Sequence, residues 1–237
     1  MAVWLRGFLR QRWRRLLRAL GMALLILALL PPVLVALYGV VPPPVTPLML
    51  IRLLEGETLE KDWRPLAEID PDLPLSVAAS EDSRFCLHSG FDLVELEKAV
   101  RDWRDGGRAR GASTISMQLA RNLMLWPGGG LARKGAEAYV TLWVELLLSK
   151  RRILELYLNI VEWAPGAYGA EAAARRHFRG GADNLTRRQA ALLAVTLPSP
   201  RNYDPARPSG FLSRQAGTVE ARARTLGGEL SDCFRQE

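Results

Sequence analysis

Apolar positions set the outline of this chain. Residues 19–41 run for 23 positions without a charge and are dominated by Leu, Ala and Val. As a helix that stretch reaches about 35 Å, against about 30 Å for the hydrocarbon core of a bilayer. The pattern predicts a membrane-spanning anchor. It exceeds the apolar region of a cleaved signal peptide and lacks a clear Ala-x-Ala cleavage site. Pro31 and Pro32 interrupt it and predict a kink. The PPPVTP run at residues 42–47 predicts a stiff extended spacer. The apolar segment that follows, 48–54, predicts contact with the bilayer surface.

Beyond residue 55 the period is helical. Leu93, Leu96, Val100 and Trp103 recur at helical spacing within 92–105, and Gly106 and Gly107 stop that run. Ser113 as a cap predicts a second helix over 113–125, broken by Gly128, Gly129 and Gly130. Residues 134–159 read as one long helix or as two joined near Ser149, and 168–178 as another. Thr186 with Gln189 makes a capping box for a run that ends before Pro198. A last helix fits 212–226. There is no long alternating strand pattern and no internal repeat. The expected fold class is mainly α, with one domain over 55–237 behind a single N-terminal transmembrane helix at 19–41.

Composition refines this outline. The 237 residues are 49% hydrophobic and 24% charged, which excludes a disordered tail or a collagen. The net charge of +7 suggests nucleic acid until it is located. Six arginines, Arg6, Arg10, Arg12, Arg14, Arg15 and Arg18, lie in the first eighteen residues with no acid among them. The remainder is close to neutral. The basic segment 1–18 therefore reads as a signal holding the N-terminus in the cytoplasm, with everything after residue 41 outside. No aromatic-and-basic repeat points to nucleic acid. Cys86 and Cys233, 147 positions apart, are too few for a disulfide framework or a structural zinc and are expected to be unrelated thiols, with a long-range bridge between them as the alternative.

Three segments carry candidate chemistry. EDSRFCLHSG at 81–90 follows an apolar run, so Glu81 is expected beside a buried helix end, where a raised pKa suits proton exchange. The alternative is an acid pair capping a turn. GASTISMQLARN at 111–122 opens a helix with Ser113 and Thr114, and Gln118 and Arg121 share a face, a natural seat for an anion. Ordinary helix capping is the competing explanation. RKGAE at 133–137 sets Arg133 and Lys134 three or four positions from Glu137. Taken alone, that triplet is expected to be an exposed ion pair worth about 0.3–0.5 kcal/mol.

These segments, followed by KRRILELYLN, GAYGAEAA, LTRRQAALLA and PSPRNYDP, resemble in order the peptidoglycan glycosyltransferases of glycosyltransferase family 51. The resemblance covers residues 74–205 and is closest to the monofunctional branch. Residues after 205 are too few for a transpeptidase domain, and no Ser-x-x-Lys motif occurs. The resemblance implies a lysozyme-like glycosyltransferase domain that polymerises lipid II at the outer face of the inner membrane, catalytic domain in the periplasm. It implies that Glu81 is the general base and that Glu137 is the second carboxylate, near the leaving group. It places Ser113, Thr114, Gln118, Arg121, Arg133 and Lys134 at the donor and diphosphate site. It assigns Asp82, Phe85, His88 and Gly90 to shaping the base's loop, and Glu155, Tyr157 and Asn159 to helix packing. Its partners are lipid II, the growing glycan strand, the membrane, and cell-wall synthesis or division proteins. No cofactor is required, and a divalent cation (Mg or Mn) is compatible with a diphosphate. The chain departs from the family pattern at Met117, at Arg121 in place of Lys, at Gly129 in place of an arginine, and at Ala164 and His177. A lytic enzyme of the lysozyme-like fold and a non-catalytic scaffold are the competing classes.

Overall fold

The computed structural model describes residues 2–107 and 113–235. Gly111 and Ala112 of the second motif lie outside the described residues. Among those described, ten α-helices surround one three-stranded sheet. Helix α1 (Ala2–Tyr38) contains the anchor, and its Gln11–Tyr38 stretch is long and apolar enough to cross a membrane. It continues through Pro31 and Pro32. The spacer is shorter than expected and is tied down: Lys61 Nζ donates to the carbonyls of Pro43 and Pro44. Pro47 is already helical, opening α2 (Pro47–Leu54) behind a Thr46–Met49 capping box. Proline is favoured there because the first helical N–H has no intrahelical partner in any case.

Helix α3 (Asp72–Glu81) buries Leu73, Val77, Ala78 and Ala79 and ends at Glu81. Helix α4 (Leu93–Arg104) is capped by Asp92, which accepts the N–H groups of Val94 and Glu95. The apolar stripe of α4 is not buried as its period suggests: Leu93 is 71% and Trp103 67% exposed. Helix α4 meets the body through Asp92 and Ala99 instead. Helix α5 (Ile115–Met124) starts two residues later than expected, because the cap is Thr114, which accepts the Met117 N–H, rather than Ser113. The long helical stretch is two helices, α6 (Leu131–Leu147) and α7 (Lys150–Ile160), and Ser149 caps the second. Helix α8 (Ala170–Phe178) begins late because Ala167–Tyr168 form strand β3. Helix α9 (Arg187–Thr196) has the expected capping box.

Helix α10 (Gly210–Arg235) runs well past its expected end. Gly227 and Gly228 cost helix propensity, but Leu230 and Phe234 beyond them are buried in the core and hold the helix on course. Cys86 and Cys233 are not separate thiols. They form a disulfide, with Cα atoms 6.0 Å apart, joining α10 to the turn after Glu81. Spacing alone gave no sign of this, because the pairing depends on α10 folding back across α3.

Strands β1 (Glu60–Lys61) and β2 (Glu162–Ala164) flank β3, the first parallel to it and the second antiparallel. Runs of two or three residues are too short for alternation to reveal. Helices α3, α9 and α10 pack together, α5 packs on α6 and α7, and α1 lies against α6. Trp163, Tyr157, Tyr168 and Phe85 are fully buried at the centre.

Candidate active site

The first motif folds into a latch. Asp82, buried, accepts the Ile115 N–H at 2.9 Å and so fastens the start of α5 to the end of α3. His88 Nε2 faces the same carboxylate at 3.0 Å. The Gly90 N–H donates to His88 Nδ1 at 3.2 Å, so the ring proton sits on Nε2 and points at Asp82. Gly90 has φ of +88°, and a Cβ there would come within 2.9 Å of Thr141 and Glu145, so only glycine suits this corner. Lys150 reaches over from α7 to the His88 carbonyl at 2.7 Å.

Glu81 therefore stands beside α5 rather than on an open surface. Gln118 Nε2 donates to Glu81 Oε2 at 3.1 Å, and Tyr157 Oη donates to Gln118 Oε1 at 2.8 Å. A carboxylate only accepts, so the amide must present its NH₂ to Glu81 and its oxygen to Tyr157. Burial pushes the Glu81 carboxyl above the usual range, and the Gln118 hydrogen bond, Ser80 and the Arg121 charge pull it part of the way back. Burial, with the Glu81 charge next in size, pushes the Tyr157 hydroxyl well up, so it remains protonated and able to donate.

Two cavities of about 370 Å³ each bear on the site, one lined by Glu81 and the other by Arg121, one helical turn from Gln118. Ser80, Glu81, Lys98, Ser113 and Arg222 line the first. Ser113 Oγ is buried there and has no hydrogen-bond partner among the described residues, so it is free for a ligand. Thr114 lines the same cavity, but its proton goes to the Gly90 carbonyl at 2.6 Å. Arg222 donates to the Ala79 carbonyl at 3.0 Å. Arg121 and Arg133 line the second cavity, together with Trp126 and Gly129.

The third motif differs from a surface ion pair. Glu137 is 1% exposed, and both its oxygens are engaged, one by Arg133 Nη1 at 2.6 Å and the other by Lys134 Nζ. Gly129 has φ of +91°, and a Cβ there would meet the Arg133 stem at 2.9 Å. Glycine in place of the family arginine thus lets the loop lie directly on Arg133.

Asp82, His88 and Asp92 are close enough together to hold a metal ion. Their ligand atoms are already committed. Asp82 takes the Ile115 N–H, Asp92 caps α4 and pairs with Arg84 at 3.0 Å, and the His88 proton faces Asp82. A cation there would displace all three, so the trio does not fit one, and no chemical step is assigned to a metal.

Of the eight expected site residues, Glu81, Ser113 and Thr114 share one cavity, and Arg121 and Arg133 share the other. Gln118 bonds to Glu81 and lies one helical turn from Arg121, while Lys134 and Glu137 line neither cavity and join Arg133 through the Glu137 carboxylate. Glu155 and Asn159 fill the packing role expected of them: Glu155 accepts the Leu66 N–H at 2.7 Å, and Asn159 holds both the N–H and the carbonyl of Arg64 at 2.8 Å. Tyr157 does more than pack, since it orients Gln118. Its only sequence signal was a polar tip within an otherwise apolar face of α7. Arg222 carried no signal, because it sits 141 residues from Glu81 at an exposed position of α10.

Comparison with known proteins adds the family. The transglycosylase family profile matches residues 49–224. The chain belongs to the transglycosylase family. Relatives include biosynthetic peptidoglycan transglycosylases of Caulobacter vibrioides, 46% identical over 93% of this chain and 97% of that one. Others come from Rhodospirillum centenum, 51% identical over 88% and 90%, and Pseudomonas syringae pv. tomato, 46% identical over 90% and 93%. As a transglycosylase the protein is a glycosyl-transferring enzyme, and its mainly helical fold agrees with the fold class expected.

Proposed function

We propose that this transglycosylase polymerises lipid II into β-1,4-linked peptidoglycan strands by a single inverting displacement, releasing undecaprenyl diphosphate. The observation that carries this reading is the placement of Glu81: half-buried, fixed by Gln118, and within the field of Arg121 beside an arginine-lined cavity. The names of its relatives support the peptidoglycan substrate.

Glu81 takes the proton from the 4-hydroxyl of the acceptor sugar as that oxygen attacks the anomeric carbon of the donor. The bond from that carbon to the diphosphate oxygen breaks on the opposite face, and the diphosphate leaves with the electron pair. An α-linked donor thus becomes a β-linked product. Arg121, Arg133 and Lys134 stabilise the charge that accumulates on the leaving group. A diphosphate leaves without being protonated, so one base suffices, whereas glycoside hydrolysis uses two carboxylates. Glu137 positions Arg133 and Lys134. Ser113 offers its free hydroxyl to substrate, and Thr114 holds the start of α5.

Helix α1 spans the inner membrane once, with the arginines of residues 1–18 in the cytoplasm and the catalytic domain in the periplasm. Both reactants are then confined to the surface on which the enzyme is anchored. The test supplies the full chain in vesicles with lipid II and, separately, with isolated sacculi. Glycan polymer from the first supports synthesis; muropeptides released from the second overturn it in favour of lysis.

A further inference from the structure

The second cavity contains a third arginine that no family motif contributes. Arg52 comes from α2, the short helix that follows the membrane anchor, and lines the same space as Arg121 and Arg133. Its Nη1 is held by Glu55 at 2.6 Å, while its Nε is buried without a hydrogen-bond partner. Glu162 is the one carboxylate lining this cavity among the described residues. It lies 4.0 Å from Arg52 Nε, beyond hydrogen-bonding distance, and is already bonded by Arg201 at 2.8 Å. Arg201 is fastened in turn to Glu57 at 2.6 Å. Three guanidinium groups therefore face one carboxylate that is neutralised from behind, and Arg52 keeps a buried donor unused. A buried donor without a partner is unfavourable, and a ligand oxygen that completes it relieves that cost.

Apart from Asn122, the other side chains on the wall are apolar. Leu48 comes from α2, and Leu125 and Trp126 follow α5. A ligand that suits both halves carries two adjacent phosphates and a hydrocarbon tail.

We propose that Arg52 is a third phosphate-binding cation for the polyprenyl diphosphate leaving group, and that Leu48 and Trp126 seat its first isoprenyl units. This rests on the reading that Glu81 drives release of a lipid diphosphate. It makes α2 a part of the site: the helix that leads from the membrane delivers both a cation and an apolar contact to the ligand that must return there.

The test uses the full chain in detergent, with a lipid-linked tetrasaccharide as donor and lipid II as acceptor, each varied at saturating levels of the other. Arg52→Gln raises the donor KM about tenfold, the loss of one charge-assisted hydrogen bond. Arg52→Lys recovers part of the loss, and the melting temperature stays within a few degrees of wild type. Farnesyl diphosphate competes better than inorganic pyrophosphate in the wild type. Trp126→Ala removes that advantage, whereas Arg52→Gln weakens both competitors. An unchanged donor KM in Arg52→Gln, with Arg121→Gln impaired, overturns the role of Arg52 and leaves the reaction intact. A rise confined to the acceptor KM overturns the assignment to the leaving group. If neither arginine variant affects any constant, the diphosphate reading itself is wrong.

Discussion

A carboxylate that must take a proton from a sugar hydroxyl works best when water does not satisfy it. Glu81 meets that condition by partial burial, which raises its pKa, and Gln118 prevents the shift from becoming extreme. Two consequences follow from the direction of that shift. The base must be ionised, so kcat/KM falls as pH drops through the raised pKa, and the acid limb of the rate profile lies above that of an ordinary glutamate. In the folded state the proton is held more tightly than in the unfolded one, so between the two pKa values the native protein binds more protons and loses stability as pH rises. That cost is fully present once the pH exceeds the raised pKa. Glu81→Gln removes it. The variant should lose about 10²- to 10⁴-fold in polymerisation, the usual contribution of a general base, yet melt higher than wild type at neutral pH. Calorimetry at neutral and at acid pH checks this, since the gain should vanish once Glu81 is protonated in both states. Tyr157→Phe tests the orientation of Gln118. With the hydroxyl gone, the amide is free to turn, and kcat should fall by about tenfold, in line with one lost hydrogen bond, while the acid limb shifts with it.

At the level of elements, what matters is how α3, α5 and α6 meet, and here the sequence was legible in part. The capping box at Thr186 could be read directly, because it depends on side chains and N–H groups within three residues, whereas Ser149 was legible only as a junction and the structure makes it a cap. The i,i+4 spacing of Arg133 and Glu137 was equally visible, but not its burial, which comes from the packing of α5 on α6. The exposed stripe of α4 misleads for the same reason: period shows which face is apolar, not what covers it. Glu81, Gln118 and the cations were reached by resemblance to a family; their contact is a matter of helix docking. The latch that does the docking is Asp82, which no spacing rule singles out. Asp82→Ala leaves the Ile115 N–H and the His88 proton without their acceptor. We expect a loss of about 2–4 kcal/mol in denaturant unfolding. Polymerisation should fall nearly as far as in Glu81→Gln, because α5 no longer holds Gln118 in place.

For the molecule as a whole, two long-range ties place the site relative to the membrane. The Cys86–Cys233 disulfide closes α10 over the turn behind Glu81. Such bonds persist outside the cytoplasm, which agrees with the orientation the N-terminal arginines favour. Replacing both cysteines with serine should cost about 2–5 kcal/mol, seen as a lower denaturant midpoint that reductant no longer changes. The second tie is between α1 and α6. Tyr139 Oη donates to the Ala28 carbonyl at 2.5 Å, and the Leu148 side chain lies against Gly39. The two helices thus run side by side in the same direction, and Ala28 is about 16 Å along α1 from Gly39. The stretch of α6 from Tyr139 to its C-cap Leu148 therefore lies along the C-terminal half of the expected membrane span, Ala28–Gly39. The face of α6 turned away from the core is apolar there, with Leu142 and Leu146 57% and 71% exposed. Each leucine covered by lipid contributes about 1.5–3 kcal/mol. The double variant Leu142→Glu, Leu146→Glu should therefore fold normally and polymerise lipid II in detergent at close to the wild-type rate. In phospholipid vesicles it should be slower by about tenfold or more, because α6 no longer settles into the leaflet that contains the substrate. Equal rates in the two media would show instead that this face looks into water and that the site stands clear of the membrane.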